Sequence, residues 1–407
     1  MDKGSKILVT GATGLVGSAI VRELLRNGYT NIIGTYKSKN PERMYRDFKE
    51  HIEKGFLKFI KIDLTNQLET ENLFKDLRPE YVFLAAAKVG GIWANNIYRA
   101  DFIYQNLQIQ NNVIHFSYKY NIKKLLFLGS TCIYPRNCPQ PMKEEYLLTD
   151  ILEYTNEPYA VAKIAGLKMC ESYNLQYGTN FISIMPTNLY GYWDNFDLET
   201  SHVIPALMRK MHLAKCLEEN NWEEIRKDLD ARPIEGINGK ASKKEIIDIL
   251  EKYGIRKENR QVNVEIWGTG KPKREFLWAD DLANACVFLM ENINFEDIVN
   301  LIYPDLPELN SYSGKLLDLV KEGKEIRNTH INVGTGEEIS IKNLAFLIKD
   351  VVEFKGELFF NPKKPDGTPR KITDVSRIHK LGWKHKVSLK EGFEKLYRWY
   401  VEYMNLP

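Results

Sequence analysis

A glycine-rich turn near the start of the chain limits the possible folds more than any other feature. Residues 6–10 (KILVT) have the pattern of a buried strand, residues 11–17 (GATGLVG) that of a turn, and residues 18–26 that of an amphipathic helix. Small residues at such a turn let the backbone approach a pyrophosphate at the positive end of the helix. The segment therefore predicts the first unit of a dinucleotide-binding β–α–β fold.

Further apolar runs alternate with helical patterns along the first half of the chain. The runs are residues 31–36, 57–62, 81–85, 124–128 and 181–185, and the clearest helical patterns are residues 102–118 and 159–177. Such alternation is typical of a parallel sheet covered by helices on both faces and joined by right-handed crossovers. We therefore predict an α/β fold of the Rossmann type, with a doubly wound parallel sheet.

The alternation weakens after about residue 190, which suggests a second domain. We predict that residues 1–190 form the dinucleotide-binding domain, to which later segments return. Residues 191–407 are predicted to form mainly a smaller C-terminal α/β substrate lobe. The polar, helix-rich segment 213–262 is predicted to be a helical insertion. Its apolar residues cover one helix face: Ile246, Ile247, Ile249, Leu250 and Tyr253.

Composition excludes several classes of function. The net charge of the 407 residues is +3, so the chain lacks the electrostatic footprint of a nucleic-acid-binding protein. No apolar run reaches the ~20 residues that span a bilayer, and the first strand leaves no room for a signal peptide. The five cysteines are odd in number and show no CxxC spacing, so we expect neither disulfides nor a metal site. We therefore expect a cytoplasmic protein.

The residues after the second strand predict which dinucleotide binds. NAD sites place an acid there for the ribose, whereas NADP sites place cations for the 2′-phosphate. The segment TYKSK at 35–39 contains Lys37 and no acid, which favours NADP(H), although Lys37 and Lys39 could simply be solvated. Asp63 and Leu64, after the third strand, could meet the adenine, or Asp63 could cap the following turn. The turn residues expected at the cofactor are Gly11, Thr13, Gly14, Leu15, Val16 and Gly17.

Tyr159 and Lys163 are spaced by four residues in a predicted helix, so their side chains share one face. A tyrosine that gives a proton to a carbonyl oxygen must ionise far below its free pKa of ~10. A nearby ammonium lowers that pKa, and the lysine can also hold the nicotinamide ribose. After a dinucleotide-binding turn, this pair predicts hydride transfer beside a phenol.

Polar side chains follow the fifth predicted strand, where ligands of parallel sheets bind. The Ser130 hydroxyl can polarise a substrate carbonyl. Asn106, on the preceding helix, either anchors a water or backbone link to Lys163 or is an ordinary helix residue. Cys132 and His202 could be a small core residue and a plain polar group. They could also be the two acid–base groups of an enzyme that moves protons at carbon.

The chain resembles the GDP-L-fucose synthase family of extended short-chain dehydrogenases/reductases. The resemblance runs through long stretches, among them LAAAKVGGIWANN, LLFLGSTCIYP, NEPYAVAKIAG, SHVIPAL, THINVGTG and KPDGTPRKITD. It implies that Ser130, Tyr159 and Lys163 are the catalytic serine, tyrosine and lysine. It also implies that Cys132 and His202 are the pair that epimerises the sugar, an activity combined with reduction by NADPH.

The resemblance also implies binding residues and partners. It places Ala86, Lys163, Pro186, Asn188, Leu189 and His202 in the cofactor site, and Lys88, Asn188, Lys210, Trp267, Arg274 and Asp366 in the substrate site. The implied substrate is a GDP-linked 4-keto-6-deoxy sugar, with neither nucleic acid nor membrane as a partner. A homodimer is expected if the helices at 102–118 and 159–177 pair across a two-fold axis; otherwise they only cover the sheet.

Departures from the family pattern leave an alternative open. Lys210 replaces a frequent arginine, and Trp93 and Trp193 stand where smaller or different residues are common. The alternative is therefore a reductase, with or without epimerase activity, that acts on a GDP-4-keto-6-deoxy-heptose. A 4,6-dehydratase is disfavoured because Cys132 and Ile133, rather than an Asp-Glu pair, follow Thr131. A non-catalytic NADP-binding scaffold is disfavoured because both Tyr159 and Lys163 are present.

Overall fold

The computed structural model describes residues 1–258, 261–307, 309, 315–364 and 366–404. The chain divides into two compact units. The first unit consists of Met1–Leu189, Ala279–Gly336 and Thr373–Lys386, and the second of Tyr190–Trp278, Glu337–Ile372 and Val387–Pro407. The first unit is therefore built from three separate stretches of the chain.

The strands follow the predicted runs closely in the first half of the chain. In chain order they are β1 (Ile7–Thr10), β2 (Ile32–Tyr36), β3 (Leu57–Lys61), β4 (Tyr81–Leu84), β5 (Lys124–Leu128), β6 (Phe181–Pro186), β7 (Asn188–Tyr190), β8 (Ile255–Glu258), β9 (Gln261–Trp267), β10 (Lys273–Arg274), β11 (Phe276–Trp278), β12 (Ile331–Val333), β13 (Ile339–Ser340), β14 (Glu357–Asn361) and β15 (Arg370–Lys371).

The helices alternate with these strands in the first unit and dominate the second. In chain order they are α1 (Leu15–Arg26), α2 (Tyr45–Glu53), α3 (Gln67–Leu77), α4 (Ile92–Ile97), α5 (Arg99–Lys119), α6 (Glu157–Tyr177), α7 (Val203–Glu218), α8 (Trp222–Ala231), α9 (Lys243–Lys252), α10 (Ala279–Asn292), α11 (Phe295–Ile302), α12 (Lys315–Lys321), α13 (Ile341–Val352), α14 (Ser376–Lys380) and α15 (Leu389–Met404).

Seven strands of the first unit form one sheet in the order β12-β6-β5-β4-β1-β2-β3. All the pairings described within it are parallel. The chain therefore winds outward from β1 in both directions, and the order reverses between β1 and β4. This is the predicted Rossmann-type fold, and such a switch point is where ligands of open α/β sheets bind.

The first unit has a continuous apolar core because β1, β5 and β6 are buried along their whole length. A parallel sheet covered on both faces requires such uninterrupted apolar strands. Helix α6 begins with Pro158 in its first turn and ends at Gly178, whose φ is 65°. Proline suits the first turn and glycine the left-handed C-terminal position, so the sequence itself sets the length of this helix.

Among the described residues, no helix is long and apolar enough to cross a membrane.

The second unit contains the sheet β14-β9-β8 and the small sheet β13-β10-β15. On β9, Val262, Val264 and Ile266 are buried and alternate with more exposed residues, so one face of the sheet meets the core. Apolar residues of α7, α13 and α15 belong to the same core.

Segment 213–262 is part of the second unit's core and not a separate appendage. Its predicted start is wrong, because residue 213 lies inside α7. The segment contributes α8 and α9 and also the strand β8, which pairs with β9 in antiparallel register. Its residues Asn259 and Arg260 lie outside the described residues. The predicted apolar face of α9 is largely buried through Ile246, Ile249 and Leu250.

Candidate cofactor and catalytic site

The glycine loop after β1 needs glycine because other backbone passes very close to it. Gly11 has a φ of 67°, and a Cβ built on it would lie 2.9 Å from the Cα of Ala86. A Cβ on Gly17 would collide with the carbonyl of Gly11. The Thr10 hydroxyl accepts hydrogen bonds from the backbone N–H groups of Ala85 and Ala86, each 3.1 Å long. The loop and the segment after β4 are thereby held together.

The same loop leads into α1 without a capping side chain. The backbone N–H of Ala12 donates to the Thr35 carbonyl at 2.8 Å, and Thr13 is buried. Gly14 is the N-cap of α1, and Leu15 and Val16 form its first turn. The backbone at this helix N-terminus is open to close approach, and its dipole favours an anion such as a pyrophosphate.

Lys37 and Asp63 form an ion pair with an Nζ–Oδ2 distance of 2.8 Å. Asp63 also accepts hydrogen bonds from the backbone N–H and the hydroxyl of Thr65, at 3.0 and 2.7 Å. Burial raises the pKa of Asp63, but the hydrogen bonds from Lys37 and Thr65 outweigh it, so that pKa lies below its usual value. Asp63 therefore caps the turn after β3, one of the two predicted alternatives, while the adjacent Leu64 is buried.

Ser130 and Cys132 lie in a tight turn directly after β5. A 3-10 turn spans Thr131–Ile133, and the Ser130 hydroxyl caps it by accepting from the Cys132 backbone N–H at 3.3 Å. A Cβ on Gly129 would meet the end of the Met185 side chain, which would have to move to make room for it. Cys132 is buried, with 7% of its surface exposed.

Lys163 is a buried cation beside that turn. Its Nζ donates to the Leu128 carbonyl at 2.7 Å and lies 4.9 Å from the centroid of the Phe127 ring and 5.7 Å from that of Tyr159. Burial lowers the pKa of Lys163 to about 8, against the opposing effect of a Cys132 thiolate. A lysine that loses its proton near neutral pH is typical of functional sites.

Tyr159 lies in the first turn of α6, and its ring meets the edge of Phe102 at a centroid distance of 6.3 Å. We expected the neighbouring ammonium to lower the pKa of this phenol. The structure shows the opposite balance, because burial raises the pKa of Tyr159 and the negative charge of a Cys132 thiolate raises it further. The phenol is therefore a proton donor in the protein by itself.

The Asn106 side chain bonds to the loop after β4 and to its own helix, and its link to Lys163 through a water stays a prediction. Its side-chain oxygen accepts from the Lys88 backbone N–H at 3.0 Å, and its nitrogen donates to the Lys88 carbonyl at 3.0 Å and to the Phe102 carbonyl at 2.7 Å. Asn106 thus fixes the backbone that carries Lys88.

The remaining predicted residues of the first unit follow β6. Pro186 ends β6 and is buried, whereas Asn188 is exposed and Leu189 is half-buried at the start of β7. Together with the glycine loop, Ala86 and the Ser130–Cys132 turn, they follow the carboxyl ends of parallel strands of one sheet. That edge is where an open α/β sheet binds its ligands.

Four of the six predicted substrate residues cluster within the second unit: Lys210, Trp267, Arg274 and Asp366. Lys210, on α7, lies 3.5 Å from the Glu265 carbonyl of β9, and burial lowers its pKa to about 8. Trp267 ends β9 with 60% of its surface exposed. Asp366 accepts from the backbone N–H and the hydroxyl of Thr269, at 2.8 and 2.7 Å.

Arg274 belongs to this cluster because a Cβ on Gly367, next to Asp366, would lie 2.8 Å from its guanidinium nitrogen. His202 is the N-cap of α7; the residue as a whole is exposed, but the surrounding protein desolvates its imidazole and lowers the pKa of that ring. Trp193, which we associated with the sugar pocket, is buried in the second unit's core against Trp399 and Tyr403. Trp93 is half exposed in the first unit.

Sequence reasoning missed two sets of residues. Lys364 lies over the Trp267 ring, 5.0 Å from its centroid, and nothing in the sequence relates positions so far apart. Tyr134, His330 and Asn332 form a buried hydrogen-bonded group next to the Ser130–Cys132 turn. Their signal was present, because Tyr134 lies in the conspicuous STCIYP stretch and His330 and Asn332 lie in THINVGTG.

In the described ranges, no group of three or more His, Cys, Asp or Glu side chains is arranged to hold a metal ion. The five cysteines all lie in these ranges, and none of them is in a disulfide.

Comparisons with known proteins agree with this geometry. The model of the NAD dependent epimerase/dehydratase family matches residues 7–232 and 237–301. GDP-L-fucose synthase 1 of Arabidopsis thaliana is 44% identical over 401 residues, covering 98% of this chain and 94% of that protein. GDP-L-fucose synthase of Escherichia coli K12 is 38% identical over 397 residues, covering 98% and 97%.

A solved structure from Campylobacter jejuni, described as a GDP-6-OMe-4-keto-L-xylo-heptose reductase, is also similar. It is 43% identical with a TM-score of 0.79, and the match covers 98% of each chain. The predicted family resemblance is thus confirmed over nearly the whole sequence. The chain belongs to the NAD dependent epimerase/dehydratase family and, within it, to the GDP-L-fucose synthase family.

Proposed function

We propose that the protein catalyses the NADPH-dependent 3,5-epimerisation and 4-reduction of a GDP-4-keto-6-deoxy-hexose. One observation carries the proposal. Helix α6, which carries Tyr159 and Lys163, packs against the turn Thr131–Ile133 that contains Cys132. A group that can remove a proton from carbon thus lies beside a reductase pair, in a chain 44% identical to a GDP-L-fucose synthase.

The residues present fit NADP(H). Gly11 and Gly17 pack against neighbouring backbone and make the loop tight, and α1 begins directly behind it without a capping side chain, as at a pyrophosphate site. Exposed Lys37 is the cation for the 2′-phosphate, and Lys163 and Asn188 are the expected neighbours of the nicotinamide half. NADPH bound there supplies the hydride.

Tyr159 donates the proton in the reduction. Its raised pKa keeps the phenol protonated, so it can hydrogen-bond the C4 carbonyl and then protonate the oxygen as negative charge develops. Lys163 stabilises the resulting phenolate by its charge, and the Ser130 hydroxyl donates a second hydrogen bond to the same oxygen.

Cys132 and His202 act before reduction. The C4 ketone acidifies the protons on C3 and C5, so that Cys132 removes a proton and His202 returns one to the opposite face. The C4 oxygen carries the enediolate charge between these steps, and the same hydrogen bonds stabilise it. His202 is suited to this because loss of hydration lowers the pKa of its imidazole, which favours release of the proton.

The cluster of the second unit binds the GDP-sugar. Trp267 offers an exposed ring face for stacking a base, and Lys210 and Arg274 offer cations for the diphosphate. Asp366 already accepts two hydrogen bonds from Thr269, so it shapes the loop that follows Trp267.

A second candidate is reduction at C4 of a GDP-4-keto-6-deoxy-heptose, with or without epimerisation. The 43% identity to the Campylobacter jejuni heptose reductase supports it, whereas the several relatives named GDP-L-fucose synthase favour the hexose. Half-exposed Trp93 is the residue that we expect to border the additional carbon of a heptose. Trp193 is buried and therefore does not support the heptose candidate. Turnover of each synthetic 4-keto GDP-sugar separates the two.

Solvent deuterium exchange tests the epimerase assignment. We expect Cys132→Ser and His202→Gln to stop deuterium incorporation at C3 and C5, read by NMR, while slow direct reduction continues. Cys138→Ser is the matched control, because Cys138 is also close to the turn in sequence but has no role in the mechanism. If both variants still exchange at the wild-type rate, the assignment is wrong.

We also propose that the enzyme is a cytoplasmic homodimer. Helices α5 and α6 pack together in the first unit, and each carries exposed apolar side chains, Tyr104 on α5 and Val161 and Tyr177 on α6. A two-fold pairing of these helices would cover that surface. Light scattering on the purified protein measures the assembly directly.

A further inference from the structure

We propose that Tyr134 is a positioning residue whose hydroxyl fixes the turn that carries Ser130 and Cys132. The inference rests on the proposed function, because it concerns how that turn is held for proton transfer. Tyr134 directly follows the 3-10 turn Thr131–Ile133 and is almost wholly buried. None of the roles assigned above uses its phenol.

The phenol belongs to a directed chain of hydrogen bonds. Tyr134 Oη lies 3.1 Å from His330 Nε2 and donates to Asn332 Oδ1. Because a phenol has a single proton, His330 must donate through its Nε2–H. The Asn332 amide nitrogen then donates to the carbonyls of Met142 at 2.9 Å and Asp374 at 3.2 Å. The donor and the acceptor of every hydrogen bond in this group are thereby determined.

The surroundings keep His330 neutral, which this arrangement requires. Burial lowers the pKa of His330 well below its usual value, and the charges of Arg377 and Lys168 lower it further. On the other side, burial raises the pKa of Tyr134 well above its usual value, so the phenol keeps its proton. The Tyr134 phenol and the His330 imidazole therefore both stay neutral over the pH range in which the enzyme works.

Charged groups hold the partners of Tyr134 in place. The Arg377 guanidinium donates to the carbonyls of Asn328 at 2.6 Å and His330 at 2.5 Å. Glu144 accepts from the Asn332 backbone N–H at 3.0 Å. Strand β12 and His330 before it, which hydrogen-bond the phenol of Tyr134, are thus held through both backbone and side chains.

The group joins all three chain stretches of the first unit. Tyr134 lies in Met1–Leu189, His330 and Asn332 lie in Ala279–Gly336, and Asp374 lies in Thr373–Lys386. Cys132 is two residues from the phenol that makes this connection. A benzene ring would fill the same space, so the hydroxyl adds orientation and not volume. Without it, His330 Nε2 and Asn332 Oδ1 lose a buried partner, and the turn loses its anchor.

Tyr134→Phe tests the proposal in the full-length protein with NADPH bound. We expect deuterium exchange at C3 and C5, and kcat for reduction, to fall about 10- to 100-fold, since a shift of about 1 Å in a reacting group can cost that much. The KM for the GDP-sugar should change less than about twofold, because no substrate contact is removed.

Tyr29→Phe is the matched control. Tyr29 is buried in the same unit, and its hydroxyl bonds to Glu291 and to the Met1 carbonyl, away from the turn. A general loss of stability would affect both variants, whereas a positioning role slows Tyr134→Phe alone. Equal rates in Tyr134→Phe and wild type would overturn the proposal.

Cys132→Ser, measured in the same assay, distinguishes a failure of the proposed function from a failure of the positioning role of Tyr134. If Cys132→Ser still exchanges deuterium at the wild-type rate, the proposed function fails. The alkylation rate of Cys132 by iodoacetamide then still tests Tyr134 without substrate. We expect it to change severalfold in Tyr134→Phe and to stay unchanged in Tyr29→Phe. An unchanged rate in both variants would overturn the positioning role.

A second pair of variants applies if Tyr134→Phe does not fold. His330→Gln keeps an N–H donor for the phenol, whereas His330→Leu keeps the bulk and loses the donor. Exchange should be retained in the glutamine variant and reduced in the leucine variant. Equal activity in the two would show that the hydrogen bond to Tyr134 has no part in the reaction.

Discussion

Each unit buries a cation, and the two cations have opposite surroundings. In the second unit, Arg209 is wholly buried and contacts Asp228 at 2.8 Å, with neither side chain exposed. Its guanidinium also donates to the Phe196 and Arg232 carbonyls, and Tyr400 donates to the same aspartate. In the first unit, Lys163 has a carbonyl, Leu128, as its hydrogen-bond acceptor and two aromatic rings nearby.

The difference separates a structural charge from a reactive one. The pKa of Arg209 is raised, because Asp228 and Tyr400 outweigh the effect of burial, so the arginine stays charged and joins α7, α8 and α15. The pKa of Lys163 is lowered to about 8 because burial is not balanced by a carboxylate. A fully paired charge holds the fold, whereas an incompletely compensated one is available for chemistry.

Removing the partner of the structural cation should have the largest effect on stability. Asp228→Ala leaves Arg209 buried without its carboxylate, and we expect it to destabilise the second unit by about 3–5 kcal/mol in urea denaturation. Lys395→Ala is the control, since it breaks only the half-exposed pair with Glu391 on α15 and should cost about 0.3–0.5 kcal/mol. Equal losses in the two variants would contradict a structural role for the buried pair.

Removing each cation should give reciprocal results. Lys163→Met should lower kcat for ketone reduction by about 10²–10⁴-fold, the usual contribution of acid–base assistance, with no loss in the free energy of unfolding. Arg209→Met should destabilise the protein, because Asp228 would be buried without its cation. Steady-state kinetics and denaturation of both variants make the comparison. A Lys163→Met protein that keeps its activity but loses stability would contradict this distinction between the two cations.

The pH dependence should be smaller and specific to Lys163. Since the pKa of Lys163 is lowered to about 8, its ammonium is lost as pH rises, and kcat for reduction should fall up to tenfold per pH unit above about 8. The folded protein binds this proton less tightly than the unfolded chain. Wild type should therefore gain about 1 kcal/mol of stability relative to Lys163→Met between pH 8 and pH 9. A flat difference across this range would mean that Lys163 is not desolvated.

Local patterns were sufficient for the first six strands of the first unit's sheet. Six strand runs were located to within about one residue at each end, because apolar runs bounded by glycine or charged residues have few alternatives. The spacing of Tyr159 and Lys163 predicted one helix face, and both residues lie on α6. Substrate residues of the second unit came only from the family resemblance, because no local pattern connects Lys210 with Trp267 or Asp366.

Burial and long-range contacts account for the corrections. The pKa of Tyr159 follows from how deeply the ring is buried, which the YxxxK spacing does not contain. The Asn106 side chain hydrogen-bonds the Lys88 backbone, because the N–H and C=O groups of the loop after β4 need partners. Segment 213–262 looked like an insertion because it is polar, yet Asp228 and β8 tie it into the core.

By itself, the sequence determined the doubly wound sheet and the glycine loop, and it led us to propose the reactive side chains. Those features depend on periodicity, on glycine and on residues near one another in the chain. The tertiary structure alone decided which buried groups are compensated. Whether Lys163, Arg209 or Tyr134 meets a carboxylate, a carbonyl or an imidazole depends on segments up to about 200 residues away, as with Tyr134 and His330. Desolvation and pairing are properties of that assembly, and they separate the charges that hold this protein together from the charges that can react.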